Sequence, residues 1–216
     1  MAPKRIVVLI SGSGSNLQAI LDRTLDGSIN GRIAAVICNR PGAYGLTRAE
    51  QAGVDARLLD HKEFDGREQF DQALMELIDS YQPDLVVLAG FMRILTPELV
   101  RHYQGRLLNI HPSLLPKYKG LHTHQRALEA GDEEHGCTVH FVTEELDGGP
   151  LIVQARTPIR SGDDEQSLQQ RVHLLEHQIY PLAVEWFCAD RLQLTTEGVQ
   201  LDNAPTGASG HLYTSP

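Results

Sequence analysis

Three residues have the types and spacing to do chemistry together. Asn109 and His111 stand two apart in the run Asn109-Ile110-His111-Pro112-Ser113-Leu114-Leu115-Pro116, and Asp147 opens Asp147-Gly148-Gly149 further on. An amide can donate to a developing oxyanion, an imidazole can move a proton or carry charge, and a carboxylate can fix the imidazole's protonation. That trio suits acyl-type transfer through a tetrahedral intermediate, with no serine or cysteine nucleophile. Ser113 precedes no G-x-S-x-G turn. Residues i and i+2 of a strand share a face, so Asn109 and His111 should point the same way at a strand end. Pro112 and Pro116 then stiffen the following loop by fixing φ.

A second chemical feature lies near the N-terminus. Ser11-Gly12-Ser13-Gly14-Ser15-Asn16 joins an apolar run to a helix-period segment. Glycines allow a sharp turn and close backbone approach, and a helix N-terminus offers unpaired N–H groups and a positive dipole end. The loop has no lysine, so it is not a P-loop, and Leu17 stands where a dinucleotide fingerprint needs a small residue. A single phosphate monoester on Gly12, Ser13, Gly14, Ser15 and Asn16 is preferred over an ordinary capped turn.

The elements that must position these groups alternate. Continuous apolar runs at Ile6–Ile10, Ile33–Cys38 and Leu85–Ala89 read as strands, and a short strand is expected near Ala56–Leu59. Helical spacing marks 16–26, 45–52 and 67–81, and Pro97 opens a helix to about Tyr103. This pattern implies a parallel sheet covered on both faces, with ligands beyond the carboxyl ends of its strands. The later chain differs: strands at 136–143 and 151–158 flank an acidic turn, and 164–187 reads as a long helix that Pro181 should kink or divide. A hairpin follows at 192–201, then a Gly/Ser/Pro/Thr-rich segment reads as a flexible tail over 203–216. We expect one domain over 1–202.

Composition narrows the partners. The 216 residues carry 19 Lys and Arg against 28 Asp and Glu, a net charge of −9, which disfavours a nucleic-acid footprint. No stretch reaches a membrane span and none resembles a secretory signal, so a cytoplasmic protein is expected. Cys38, Cys137 and Cys188 form no CxxC pair, which argues against a disulfide framework or zinc knuckle, and Cys38 reads as a core residue. His122-x-His124 lacks a third ligand nearby, so loop hydrogen bonding is preferred and no metal is expected.

In the stretches Ile10 to Leu17, Leu88 to Leu95, Leu108 to Gly131 and Gly136 to Gln154, the chain resembles the folate-dependent phosphoribosylglycinamide formyltransferases. The resemblance runs from about Ile6 to Trp186. Ser13 stands where many relatives have Asn. It implies a Rossmann-like α/β formyltransferase fold: a mostly parallel twisted sheet with helices on both faces. It implies a ribonucleotide phosphate at Gly12 to Asn16, with Lys119, Gly120 and Gln170 close to that substrate and Glu176 meeting the glycyl ammonium. It further implies a pterin cleft formed by Phe91, Met92, Arg93, Ile94, Leu95, Val100, Asn109, Glu144, Glu145 and Asp147, with Arg67 facing the folate's glutamate. Without the resemblance, Phe91-Met92 and Ile94-Leu95 read as core packing.

The implied reaction takes the formyl group of 10-formyltetrahydrofolate, a co-substrate rather than a tightly bound cofactor. Asn109 and protonated His111 stabilise the oxyanion, and Asp147 keeps His111 cationic. The partners are then small molecules only, and the protein a monomer or homodimer. Three alternatives stand beside it: a formyl-folate hydrolase, a tRNA formyltransferase and a non-catalytic phosphate-ligand sensor. The tRNA enzyme normally carries a further C-terminal RNA-binding domain and the hydrolase a further N-terminal regulatory domain. The chain is expected to have neither.

Overall fold

A computed structural model describes residues 1–215. They form two compact units, Met1–Asn109 and the remainder from Ile110. The first contains β1 (Lys4–Ile10), α1 (Ser15–Leu25), β2 (Gly31–Cys38), α2 (Tyr44–Gln51), β3 (Asp55–Leu58), α3 (Arg67–Ser80), β4 (Leu85–Leu88) and α4 (Pro97–His102), and ends within β5 (Leu107–His111). Its strands lie in the order β5-β4-β1-β2-β3, all pairings parallel. Every residue from Ile6 to Ile10 is fully buried, so β1 is covered on both faces, as its unbroken apolar run requires. The order reverses at β1, and the loops leaving β1 and β4 therefore flank a switch point.

The second unit contains α5 (Thr123–Glu129), β6 (Glu134–Phe141), β7 (Leu151–Pro158), α6 (Glu165–Cys188), β8 (Leu192–Thr195), β9 (Gly198–Leu201), β10 (Ala204–Pro205) and β11 (His211–Leu212). β6 and β7 pair antiparallel, with α6 packed along both. Gly136 is required in this ladder, because a Cβ there would overlap the Ala155 carbonyl oxygen. A capping box starts α6: Asp164 accepts from the Ser167 amide at 2.8 Å, and the Ser167 hydroxyl accepts from the Asp164 amide at 3.1 Å.

Several expectations need revision. Pro181 does not divide α6, which runs unbroken to Cys188 with Pro181 buried within it. Tertiary packing outweighs the one backbone bond that a proline forfeits. The segment read as a tail carries β10 and β11: β11 pairs parallel with β7, His211 against Val153, and His211 meets Trp186 edge to face at 5.3 Å. Position 216 lies outside the described residues. The seven-residue α5 was not anticipated. All three cysteines are free and buried, and among the described residues no helix is long and apolar enough to cross a membrane.

Candidate active site

In the first unit the glycine-rich loop is held through its carbonyl groups. The Gly12 oxygen accepts from the Gly45 amide at 3.1 Å, and the Ser13 oxygen from Arg48 Nε at 2.7 Å, both on α2. Gly14 caps α1 with φ +74°, and a Cβ there would press on the Gly45 backbone. The carbonyls thus face α2, which suits a loop whose amides, with those of the first turn of α1, are to meet an anion. Arg48 adds a positive charge at this loop that the motif alone did not reveal.

Ser11 ties this loop to the segment after β4. Its amide donates to Gly90 O at 3.1 Å, and its buried hydroxyl accepts from the Met92 amide at 2.8 Å while donating to Asn39. The far end is fixed by Asp71 on α3, which accepts from the Thr96 amide at 2.7 Å. Between these anchors the core-packing alternative fails at Met92, which is 59% exposed, and at Ile94, which is 52% exposed. Phe91 and Leu95 are half-buried. Arg93 lies over the Phe70 ring, 4.5 Å from its centroid, and its Nε is buried without a hydrogen-bond partner. Val100 is buried on α4, and Arg67 is exposed in the first turn of α3. Asn109 is half-buried on β5, in register with Leu88 of β4.

The second unit brings His111 and Asp147 together. His111 Nδ1 stands 3.5 Å from Asp147 Oδ1, each side chain only 8% exposed. Nε2 is 2.8 Å from the Tyr118 carbonyl oxygen; a carbonyl only accepts, so Nε2 carries the hydrogen. That bond anchors the ring and leaves Nδ1, in its longer contact, as the side on which a proton can move. Asp147 Oδ2 accepts from the Gly120 amide at 2.9 Å. Asp147 itself has φ +50°, a left-handed conformation that L residues other than Asn and Asp seldom adopt. Gly149 two residues on is needed for close approach, since a Cβ would overlap the Phe141 carbonyl. A cavity of about 320 Å³ adjoins the carboxylate, lined by Leu115, Pro116, Lys119, Asp147, Leu151 and Ala208 among others.

Other expected residues fall in two groups. Lys119 pairs at 2.6 Å with Glu145, so a residue expected at the ribonucleotide meets one expected at the folate. Both are partly or largely exposed, which makes the pair weak and easily exchanged for ligand contacts. Glu144 is exposed. Glu176 is buried on α6, 3.7 Å from His173 Nε2, and its charge helps push the Cys137 thiol up, after burial. Gln170, nearer the start of α6, is exposed.

His122 and His124 separate in role. His122 takes φ +59° at the start of α5, whereas His124 is buried and its Nδ1 lies 3.0 Å from His135 Nε2. Burial is the main force pushing both imidazoles down to about 4, with repulsion from His173 and His111 adding at His124 and from His124 at His135. Both are neutral in the fold at neutral pH and take up protons near pH 6.5 in the unfolded chain. Their contribution is therefore complete above about pH 6.5 and lost as pH falls toward about 4. Urea unfolding should show stability falling by on the order of a few kcal/mol across that window. His124→Gln should flatten the slope; equal stability at pH 5 and 7 would contradict the assignment.

Comparison with known proteins follows the same lines. Residues 4–184 match the family described as formyl transferase, and the chain belongs to that family. It is 56% identical over 206 residues to the phosphoribosylglycinamide formyltransferase of Escherichia coli K12, covering 95% of this chain and 97% of that protein. The Haemophilus influenzae enzyme of the same name is 48% identical, covering 96% of this chain and 98% of its own length. Among solved structures, the phosphoribosylglycinamide formyltransferase of Coxiella burnetii superposes with a TM-score of 0.94 at 53% identity, over 98% of this chain and all of that one.

Proposed function

We propose that the chain transfers the formyl group of 10-formyltetrahydrofolate to the glycyl amine of N1-(5-phospho-D-ribosyl)glycinamide, a step of de novo purine synthesis. The reaction class is carried by the buried His111–Asp147 pair, whose ring is locked through Nε2. The choice of substrates rests on relatives that bear the enzyme's name and are matched over nearly all of their length. We propose that residues 1–202 act as one formyltransferase domain, in the cytoplasm, on small molecules rather than nucleic acid, as a monomer or homodimer.

In this reading Gly12, Ser13, Gly14, Ser15 and Asn16 hold the phosphate, with Lys119, Gly120 and Gln170 along the ribonucleotide. Glu176 meets the glycyl ammonium, a suitable task for a buried carboxylate. The exposed apolar Met92 and Ile94, with Phe91, Leu95 and Val100, take the pterin, and a ligand acceptor would satisfy Arg93 Nε. Asn109, Glu144, Glu145 and Asp147 also meet the folate, and Arg67 takes the glutamate carboxylate.

Asn109 and His111 donate to the formyl oxygen as the deprotonated amine adds to the formyl carbon. A preorganised donor of this kind is worth about 2.7–4 kcal/mol. Asp147 stabilises the imidazolium and helps move the amine's proton, through water, to N10 as the C–N10 bond breaks. The new C–N bond forms as the old one is lost, so charge and atoms balance without a covalent enzyme intermediate. Incubating wild-type protein with label in the formyl group of the folate tests this directly. The label should appear on the glycyl nitrogen; release as formate would make the protein a hydrolase.

A further inference from the structure

We propose that Tyr118 is the positioning residue for His111, acting through its backbone carbonyl while its side chain holds that carbonyl in place. The proposal rests on the proton-handling role given to His111 above. Tyr118 has φ +55°, in the left-handed region that glycine enters freely and bulky residues avoid. That turn of the backbone puts its oxygen 2.8 Å from His111 Nε2.

A tyrosine stays in this conformation because its side chain is tied down. Its hydroxyl donates to Asp132 Oδ2 at 2.6 Å, and Asp132 Oδ1 also receives Lys117 Nζ at 3.1 Å. The Arg126 guanidinium lies over the ring, 5.1 Å from its centroid, and the same side chain donates to Lys119 O at 2.6 Å. Asp132 is itself placed by its amide, which donates to Ala127 O at 3.2 Å at the end of α5. Residues 117, 118 and 119 are thus each fastened to α5 or the turn after it. Two residues beyond Tyr118, the Gly120 amide donates to Asp147 Oδ2 at 2.9 Å. One short piece of backbone therefore supplies the acceptor that orients the imidazole and a donor that orients its carboxylate. It sets the separation of the pair, and the Tyr118 ring is what fixes it.

The test compares Tyr118→Ala with Tyr118→Phe, which keeps the ring under Arg126 and loses only the bond to Asp132. Tyr118→Ala should lower kcat about tenfold to a hundredfold, the scale of a misplacement near 1 Å, with KM for the folate little changed. Tyr118→Phe should recover most of the rate. In the ligand-free protein, the His111 imidazole 15N–1H resonance, assigned by its loss in His111→Ala, should shift and broaden in Tyr118→Ala. Wild-type kcat, a loss confined to KM, or an unmoved resonance in folded Tyr118→Ala would overturn the proposal. If Tyr118→Ala does not fold, Arg126→Ala, which removes the cation over the ring and the bond to Lys119 O, must move the same resonance, and its failure to do so has the same force. The resonance needs no turnover: absence of formyl transfer in wild type sinks the functional reading, whereas an unmoved resonance in an active enzyme sinks only the role of Tyr118.

Discussion

His111→Ala is expected to lower kcat for formyl transfer by about 10²–10⁴-fold, the usual contribution of a positioned proton-transfer group. The ring's Nε2 is committed to the Tyr118 carbonyl and its Nδ1 faces Asp147, so a single truncation removes both the cationic donor and the proton carrier. Binding should suffer far less, because neither task is needed until charge develops on the formyl oxygen. Steady-state kinetics in both substrates would show this as a fall in kcat with KM nearly constant. A rise in KM at unchanged kcat would instead make His111 a binding residue.

Asn109→Ala should follow closely, with kcat down by about 10²–10³, as for removal of one oxyanion donor. Asn109 lies on a strand whose backbone pairs with β4, so the change shortens a half-buried side chain without touching the ladder. The double variant with His111→Ala should cost less than the product of the single losses, since the proposed mechanism has the two donors serve one oxygen. Fully multiplicative losses, read from kcat, would mean that the two side chains act independently of one another.

How much of this was legible from residue order depends on what each feature uses as its signal. Ile6–Ile10 and Leu85–Leu88 are apolar at every position, and a strand covered on both faces must be, so the parallel sheet could be read directly. His111 and Asp147 were legible because their chemistry lies in their side chains and their neighbours are prolines and glycines. The orienting acceptor of His111 was not, because a backbone carbonyl has no letter of its own. Arg48 was hidden likewise, since its contact with Ser13 O spans 35 positions. Phe91 to Leu95 show the limit of hydrophobicity as a guide. Anchors at Ser11 and Asp71 keep that apolar segment out of the core, and neither anchor is apolar. β11 failed for a related reason: a two-residue parallel pairing rests on backbone bonds, such as Tyr213 N to Gln154 O at 2.8 Å, that tail-like composition conceals.

The most direct test of the account is formyl transfer from 10-formyltetrahydrofolate to glycinamide ribonucleotide, followed by folate absorbance, for wild type beside Asp147→Asn. The asparagine keeps the shape and an oxygen for the Gly120 amide but loses the charge that faces Nδ1. Rapid wild-type turnover with a fall of about 10²–10⁴-fold in the variant is the predicted result, proton handling being worth that much. Equal turnover in the two proteins would contradict the role of the pair. No turnover in either, with both ligands tightly bound, would contradict the function and leave a phosphate-ligand sensor on a transferase scaffold.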